Sequence, residues 1–119
     1  MINRYSFSFI LLMLPYHLKA QELKPVDVVK ASLKEYNIVD IDLFMSYFSD
    51  DIKMQDFNEG TVRASGREEV RAIFEPYFDA SPNLHSKIVN RITFDNKVID
   101  HEHITGARGS EEPFEKVVI

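Results

Sequence analysis

Apolar side chains recur at spacings of three and four residues in three segments of the chain. The first segment follows Pro25, which suits the first turn of a helix, and the second follows Asp40, which can cap one. The third follows Ser65-Gly66-Arg67-Glu68, which has the Ser-x-x-Glu form of a capping box. The apolar positions are Val26, Val29, Leu33 and Tyr36, then Ile41, Phe44, Met45 and Phe48, then Val70, Ile73, Phe74, Tyr77 and Phe78. These spacings predict three amphipathic helices.

Alternation of apolar and polar residues predicts strands elsewhere in the chain. Residues 52–56 alternate between the second and third helices. Ile88 to Phe94 and Lys97 to Thr105 flank Asp95-Asn96, a pair able to adopt the positive φ angles of a two-residue hairpin turn. Glu112 to Ile119 is a further predicted strand. Helices followed by antiparallel strands predict an α+β fold, with three N-terminal helices packed on one face of a sheet.

The turn at Asp95-Asn96 sets the register of the hairpin around it. Counting back from the turn places Arg91 opposite Asp100, and the same count places Val89 opposite Glu102. Arg91, Asp100 and Glu102 then share one face of the sheet, close enough to form a charge network. The opposite face carries the apolar residues Ile88, Ile92, Phe94 and Ile99. This apolar character favours the opposite face for packing against the helices, although a dimer would bury an outer face as well.

The first twenty residues have the three parts of a secretory signal peptide. Arg4 makes the start weakly basic, Tyr5 to Leu14 is apolar, and the segment ends in the small residue Ala20. The apolar run of about ten residues is shorter than the roughly 18 to 20 that cross a bilayer, so a retained membrane anchor is the weaker interpretation. We predict cleavage after Ala20 and a secreted or periplasmic protein. Residues 21–119 are then long enough for one domain but not for two.

Composition and charge exclude several classes of function. The chain of 119 residues contains no cysteine, which excludes both a disulfide framework and lipidation at the cleavage site. Its net charge is −5 at pH 7, and the predicted loss of Arg4 and Lys19 with the signal peptide makes the mature domain more acidic. An acidic domain without a cluster of Lys and Arg is not expected to bind nucleic acid. We see no P-loop or repeat, and we expect no cofactor.

Three histidines could in principle form a metal site. His101 and His103 point the same way on a predicted strand, and His85 could supply a third ligand. Nothing in the pattern places His85 beside the other two, and no nearby acid on that face is predicted to orient the rings. We therefore expect no metal and interpret these histidines as solvated or interface residues.

Four short motifs follow one another along the predicted helices and strands. They are Asp40-Ile41-Asp42-Leu43-Phe44, Tyr47-Phe48-Ser49-Asp50-Asp51, Gly66-Arg67-Glu68-Glu69 and Val98-Ile99-Asp100-His101-Glu102. In this order and spacing the chain from Val26 to Ile119 resembles the SnoaL-like branch of the nuclear transport factor 2 superfamily. The resemblance implies a conical fold, in which a curved antiparallel sheet wraps around a long helix to form a pocket, and often a homodimer through the outer sheet face. It also implies one more strand after Ile119, so we expect the sequence to lack its last strand.

Asp56 is the first candidate catalytic residue. It shares a strand face with Ile52 and Met54, because side chains alternate along a strand. A carboxyl group in an apolar pocket has a raised pKa, which suits a general base or acid near neutral pH. The resemblance adds that Asp56 falls where ketosteroid isomerase carries its general base. The alternative is a solvated acid at the end of the strand.

Other parts of ketosteroid isomerase have no match in the sequence. Where the isomerase carries an oxyanion-donating tyrosine, the resemblance places Ser32, with Tyr36 one turn later. Ketosteroid isomerisation itself is therefore not expected. If Arg91, Asp100 and Glu102 line the cone, they are similar to the acid-arginine-acid group that activates water in limonene epoxide hydrolase. If they face solvent, they form an ordinary ion pair worth about 0.2–1 kcal/mol.

The aromatic residues of the helical stripes are expected to form the core or the wall of the pocket. The candidate ligand-binding residues are Tyr36, Phe44, Phe48, Phe74 and Tyr77. We expect an exported pocket protein for a small apolar molecule, either an isomerase- or hydrolase-like enzyme with Asp56 as general base, or a non-catalytic ligand-binding or dimeric interaction module. The sequence leaves both open.

Overall fold

The structure, a computed structural model, describes residues 23–119. The predicted signal peptide, residues 1–20, lies outside the described residues. The helices are α1 (Pro25–Ile38), α2 (Ile41–Met45) and α3 (Arg67–Asp79). The strands are β1 (Lys53–Gln55), β2 (Val62–Ser65), β3 (His85–Phe94), β4 (Lys97–Thr105) and β5 (Phe114–Val118), with a short 3-10 turn at Ala107–Gly109 between β4 and β5. The predicted α+β class is confirmed.

Local sequence explains where α1 and α2 begin and end. Pro25 occupies the first turn of α1, and the helix stops at Val39, which adopts a left-handed conformation with φ of 61°. Asp40 caps α2, since its side chain accepts a hydrogen bond from the Leu43 N–H at 3.0 Å. The helix ends at Met45, so Phe48 lies in the turn that follows rather than on the helix as its spacing predicted.

The start of α3 differs from the predicted capping box. Gly66, with φ of 87°, takes the capping position, and no side chain caps the helix there. Glu69 instead accepts a hydrogen bond from the Ser65 N–H at 3.2 Å. The positive φ is accessible to glycine without the steric cost that a serine would carry, which is why the cap falls one residue later than the pattern indicated.

The strands form two separate antiparallel sheets. β1 pairs with β2, a strand that the sequence pattern did not predict, with Met54 opposite Ala64. The second sheet has the order β3-β4-β5. Its first turn holds Asp95 at a φ of 56°, and Arg91 lies opposite Asp100, as predicted.

A bulge in β3 corrects the rest of the predicted register. The pairing shifts between Ile88 and Asn90, so that Ile88, and not Val89, lies opposite Glu102. A bulge inserts one extra residue into a strand and therefore reverses the alternation of side chains beyond it. Ile88 consequently joins the face of Arg91 and Asp100, whereas the prediction had placed it on the opposite face.

The helices cover the sheet face that carries the charged residues, and this is the reverse of our expectation. α1 packs against β3 and β4. Along β4 the buried residues are Val98, Asp100, Glu102 and Ile104. On the outer face, Ile92 is 54% and Phe94 72% exposed. The charged face can be covered because the acids find partners there, as described below. The core joins the inner face to the helices and consists of Tyr36, Phe44, Met45, Ala64, Val70, Phe78, Leu84, Ile104 and Ala107.

Candidate functional site

A cavity of about 870 Å³ lies between the helices and the inner face of the sheet. Residues of all three helices and of β1, β4 and β5 line it, together with the segments that follow α2 and β1. Its apolar lining includes Val29, Leu33, Phe44, Phe48, Ile52, Met54, Val70, Phe74 and Val98. One wall is polar and consists of Ser32, Tyr36, Asp100, Glu102 and Lys116, a group that we call the polar wall.

Asp100 is held by a two-point ion pair. Arg91 donates from Nε to one carboxylate oxygen at 2.6 Å and from Nη2 to the other at 2.7 Å. Asp100 is buried, and this hydrogen bonding raises the pKa of Arg91 above its usual value. A bidentate contact fixes the orientation of both groups. Arg91 therefore neutralises Asp100 and leaves neither of its oxygens without a charged partner.

Glu102 has a looser set of partners. Glu102 is 7% exposed, and its Oε2 accepts a hydrogen bond from the Ser86 hydroxyl at 3.0 Å. The Lys116 ammonium lies 3.5 Å from the same oxygen. Both contacts engage Oε2, and Oε1 forms no hydrogen bond with residues 23–119. A buried carboxylate with one oxygen uncommitted is available to a bound molecule.

Ser86 is held in place from the helix side. The Asn37 side chain accepts from the Ser86 N–H at 2.7 Å and donates to the Ser86 carbonyl at 3.0 Å. Asn37 lies on α1, so this pair of bonds ties the helix to the edge of β3. The position of the hydroxyl that contacts Glu102 is therefore fixed by two elements.

Tyr36 lies in the middle of the polar wall and is 3% exposed. Its hydroxyl shares a hydrogen bond of 3.0 Å with the Tyr77 hydroxyl. Burial raises the pKa of Tyr36 well above the ordinary value of a tyrosine, and the hydrogen bond to Tyr77 and the nearby Glu102 act in the same direction. The phenol consequently stays protonated, so it can donate or accept a hydrogen bond but is not a base.

Four of the five predicted ligand-binding aromatics line the cavity. Phe44 packs edge-on against Phe48, with ring centroids 4.9 Å apart, and lies 5.0 Å from Phe74. Tyr36 joins the cluster at 5.8 Å from Phe44. Tyr77 lies behind Tyr36, where it contacts the hydroxyl of that residue, and it is not among the lining residues.

Asp56 lies at the mouth of the cavity and not in its apolar interior. Strand β1 ends at Gln55, and a turn closed by the Gly60 N–H and the Asp56 carbonyl follows at once. Arg63 on β2 contacts the Asp56 carboxylate at 2.7 and 2.8 Å, and 40% of the Asp56 side chain is exposed. The expected desolvated carboxyl group is therefore corrected to an ion-paired acid in contact with solvent. Its catalytic role stays a prediction.

Three residues that contact the candidate acids were not predicted from the sequence. Ser86 and Lys116 contact Glu102, and Arg63 contacts Asp56. Lys116 had a detectable signal, because it alternates with Glu115 and Val117 and so shares the face of Phe114 and Val118. Arg63 had none, because its strand was not predicted.

His101 and His103 both lie on the outer face and converge on one acid. Glu115 contacts His101 Nε2 at 2.7 Å and His103 Nδ1 at 3.6 Å. This carboxylate corrects the expectation that no acid orients the rings. Within residues 23–119, no group of three or more histidine, cysteine or acidic side chains is arranged to hold a metal ion. The same residues include no helix long and apolar enough to cross a membrane.

Known proteins share this architecture. Residues 29–119 match the family of SnoaL-like domains. The chain belongs to this family. An uncharacterized cystatin-fold protein from Novosphingobium aromaticivorans resembles the SnoaL-like domain with 30% sequence identity and a TM-score of 0.70, covering 80% of this chain and 85% of that one. None of the curated proteins matches significantly.

A second solved structure has the same fold as the SnoaL-like domain. It is a hypothetical protein with a ketosteroid isomerase-like fold from Catenulispora acidiphila, solved in complex with trimethylamine. The two chains share 19% identity with a TM-score of 0.59, over 80% of this chain and 72% of that one. The resemblance to the SnoaL-like branch and the ketosteroid isomerase-like architecture is thus confirmed.

Proposed function

We propose that this SnoaL-like domain binds a small, largely apolar molecule in its cavity and catalyses proton transfer or hydration with Glu102 as the acid–base group. The observation that carries the proposal is an apolar cavity of about 870 Å³ with Asp100 and Glu102 on one wall. Pockets of this size and composition bind small molecules, and a few convergent polar groups orient them.

Glu102 is better suited to acid–base chemistry than the other two acids. Asp100 is engaged by Arg91 at both oxygens, and Asp56 is paired with Arg63 at the solvent-exposed mouth. Glu102 is buried and keeps Oε1 uncommitted. A general base must come within hydrogen-bonding reach of the proton that it removes, and an uncommitted oxygen inside the cavity meets that requirement.

The test is the exchange of α-protons of cyclohexanone in D2O, followed by NMR. We expect the protein to accelerate exchange above the buffer rate and Glu102→Gln to lose that acceleration. Asp56→Asn is the matched control, since it removes the acid at the mouth, and it should retain exchange. Equal exchange by Glu102→Gln and the wild type would remove Glu102 from the mechanism.

Non-catalytic ligand binding is the alternative that the same cavity supports. Native mass spectrometry of the purified protein tests it, because a co-purified molecule in the cavity adds a defined mass. A retained ligand together with exchange at the buffer rate would make the domain a binding protein.

We also propose a homodimer through the outer face of the sheet. The apolar residues exposed on that side are Val89, Ile92, Phe94 and Val117. A patch of neighbouring apolar side chains on a soluble domain is typical of a protein interface. The face is equivalent in both copies, so a two-fold arrangement can bury it in one contact.

We also propose that the protein is exported, on the basis of the sequence of residues 1–20. Cleavage after Ala20 would start the mature protein at Gln21. N-terminal sequencing of material recovered outside the cytoplasm tests this, and a chain that still begins at Met1 would contradict it.

A further inference from the structure

Lys116 brings a positive charge to the polar wall. It lies on β5 directly opposite Glu102, on the face that covers the cavity. Its ammonium group lies 3.5 Å from Glu102 Oε2 and 5.4 Å from the centroid of the Tyr36 ring. The contact with Glu102 is longer than the roughly 2.7–2.9 Å of a strong charge-assisted hydrogen bond. The lysine is therefore near its partners without being locked to them.

The surroundings of that ammonium have the composition of a cation site. A buried carboxylate stands on one side and the face of an aromatic ring on the other, and a ring face attracts a cation through its quadrupole. Phe44, Phe48 and Phe74 continue the aromatic surface from Tyr36 into the cavity. Aromatic surfaces of this kind bind substituted ammonium groups, whose methyl groups pack against the rings.

We propose that the polar wall is a binding site for the ammonium group of a ligand, and that Lys116 is a tethered occupant which the ligand displaces. The ligand class is a protonated or quaternary amine with an apolar body. This inference rests on the proposed function, because it names the class of molecule that enters the same cavity.

Charge balance makes the displacement feasible. A ligand ammonium that replaces the Lys116 ammonium leaves Glu102 paired, so the large cost of a buried, unpaired carboxylate is avoided. Asp100 does not compete for the ligand, because Arg91 already neutralises it. Lys116 has a flexible four-carbon stem, and 34% of its side chain is exposed, so the displaced ammonium can move into water.

The experiment compares choline with 3,3-dimethylbutan-1-ol, which has the same shape but no charge. NMR titration of the purified protein measures both dissociation constants. We expect choline to bind about 5- to 30-fold more tightly, which corresponds to a cation–π contribution of about 1–2 kcal/mol. Lys116→Met should increase this preference by removing the tethered competitor. Lys116→Arg is the matched control and should leave it low, because it retains a tethered cation.

Glu102→Gln should reduce the preference for choline, since the amide is nearly isosteric but uncharged and only the Tyr36 ring is left to attract the cation. Should that variant fail to fold, the comparison of Lys116→Met with Lys116→Arg decides the question. Equal or tighter binding of the neutral alcohol by wild type and Lys116→Met overturns the inference, as does the failure of Lys116→Met to bind choline. Either result leaves the proposed function standing if cyclohexanone exchange still depends on Glu102.

Discussion

Asp100 is buried with a full charge that a single residue compensates. Both of its oxygens accept from Arg91, at 2.6 and 2.7 Å. Removing one partner of a buried pair leaves the other charge without compensation, which is more destabilising than losing the attraction itself. The cavity wall therefore depends on Arg91, although Arg91 is not among the residues that line the cavity.

Arg91→Met should lower the free energy of unfolding by about 3–5 kcal/mol, because it leaves the Asp100 carboxylate buried and unpaired. Urea unfolding at pH 7 measures the loss. Adding Asp100→Asn to the same chain should restore part of the stability, since the amide carries no charge. A double variant no more stable than Arg91→Met alone would contradict this account.

Glu115 on the outer face gives a pH dependence with a definite sign. Its hydrogen bond to His101 lowers the pKa of Glu115 below the usual value. The contact therefore adds stability above the unfolded-state pKa of about 4.3, and that stability is lost as the pH falls through the lower folded-state pKa.

His101→Gln should raise the pKa of Glu115 towards its usual value, because the amide cannot supply a positive charge. A carboxyl-carbon NMR titration of both proteins measures the change. The carboxyl signal of Asp27, an acid on α1 away from this cluster, serves as the internal reference. An unchanged Glu115 titration would show that His101 does not control this acid.

At the residue scale, the hairpin turn made one ion pair predictable. Another ion pair was not predictable, because no turn residue fixes the register of the strands that form it. Arg91 was paired correctly with Asp100 because Asp95-Asn96 fixes the count over a few residues. The partner of Asp56 was not predicted, since Arg63 reaches it from β2, a strand of only four residues, Val62–Ser65. Local periodicity does not predict a contact between two strands when no recognisable turn fixes how those strands pair.

At the scale of elements, the bulge in β3 changed which residues of that strand lie on the inner face. Periodicity predicted the strand correctly, but a bulge leaves no pattern in apolar spacing. The inserted residue moved Ile88 to the inner face, while Ile92 stayed on the outer one. The three helices were predictable because their stripes are local, whereas the assignment of sheet faces required the non-local contacts of α1.

Gly106 joins β4 to the short 3-10 turn by a close approach of two backbone segments. A Cβ atom added there would lie 2.1 Å from the Asn83 carbonyl oxygen, and the residue has a φ of 73°. The neighbouring turn is fixed to the same segment, because the Arg108 N–H donates to the Ser81 hydroxyl at 2.8 Å.

Gly106→Ala should cost at least about 2 kcal/mol, since it combines backbone strain with a clash against main-chain atoms that cannot rotate away. Gly109→Ala is the matched control. Gly109 also has a positive φ, of 70°, but a Cβ there would meet nothing within 4 Å, so only the strain of about 1 kcal/mol is expected. Equal unfolding midpoints for the two variants in urea would disprove the close approach.

At the scale of the whole molecule, the proposed dimer depends on the outer sheet face. Ile92→Lys should convert the dimer to a monomer, because it places a charge among apolar side chains that would otherwise be buried. Leu43→Lys on α2 is the matched control, since Leu43 is 50% exposed against 54% for Ile92 and lies away from the sheet. Analytical ultracentrifugation measures the mass. A monomeric wild type, or two variants of equal mass, would contradict the proposal.

Asn37 also affects how molecules of this protein can associate through the edge of the sheet. β3 is an edge strand of the sheet described here, and an exposed edge offers unpaired amides and carbonyls to any passing strand. The Asn37 amide satisfies both groups of Ser86 in the way that a neighbouring peptide unit would. A strand from another molecule cannot extend the ladder past this point without first pulling α1 off the sheet. The Asn37 side chain therefore both attaches α1 to the sheet and opposes the addition of further strands at this edge.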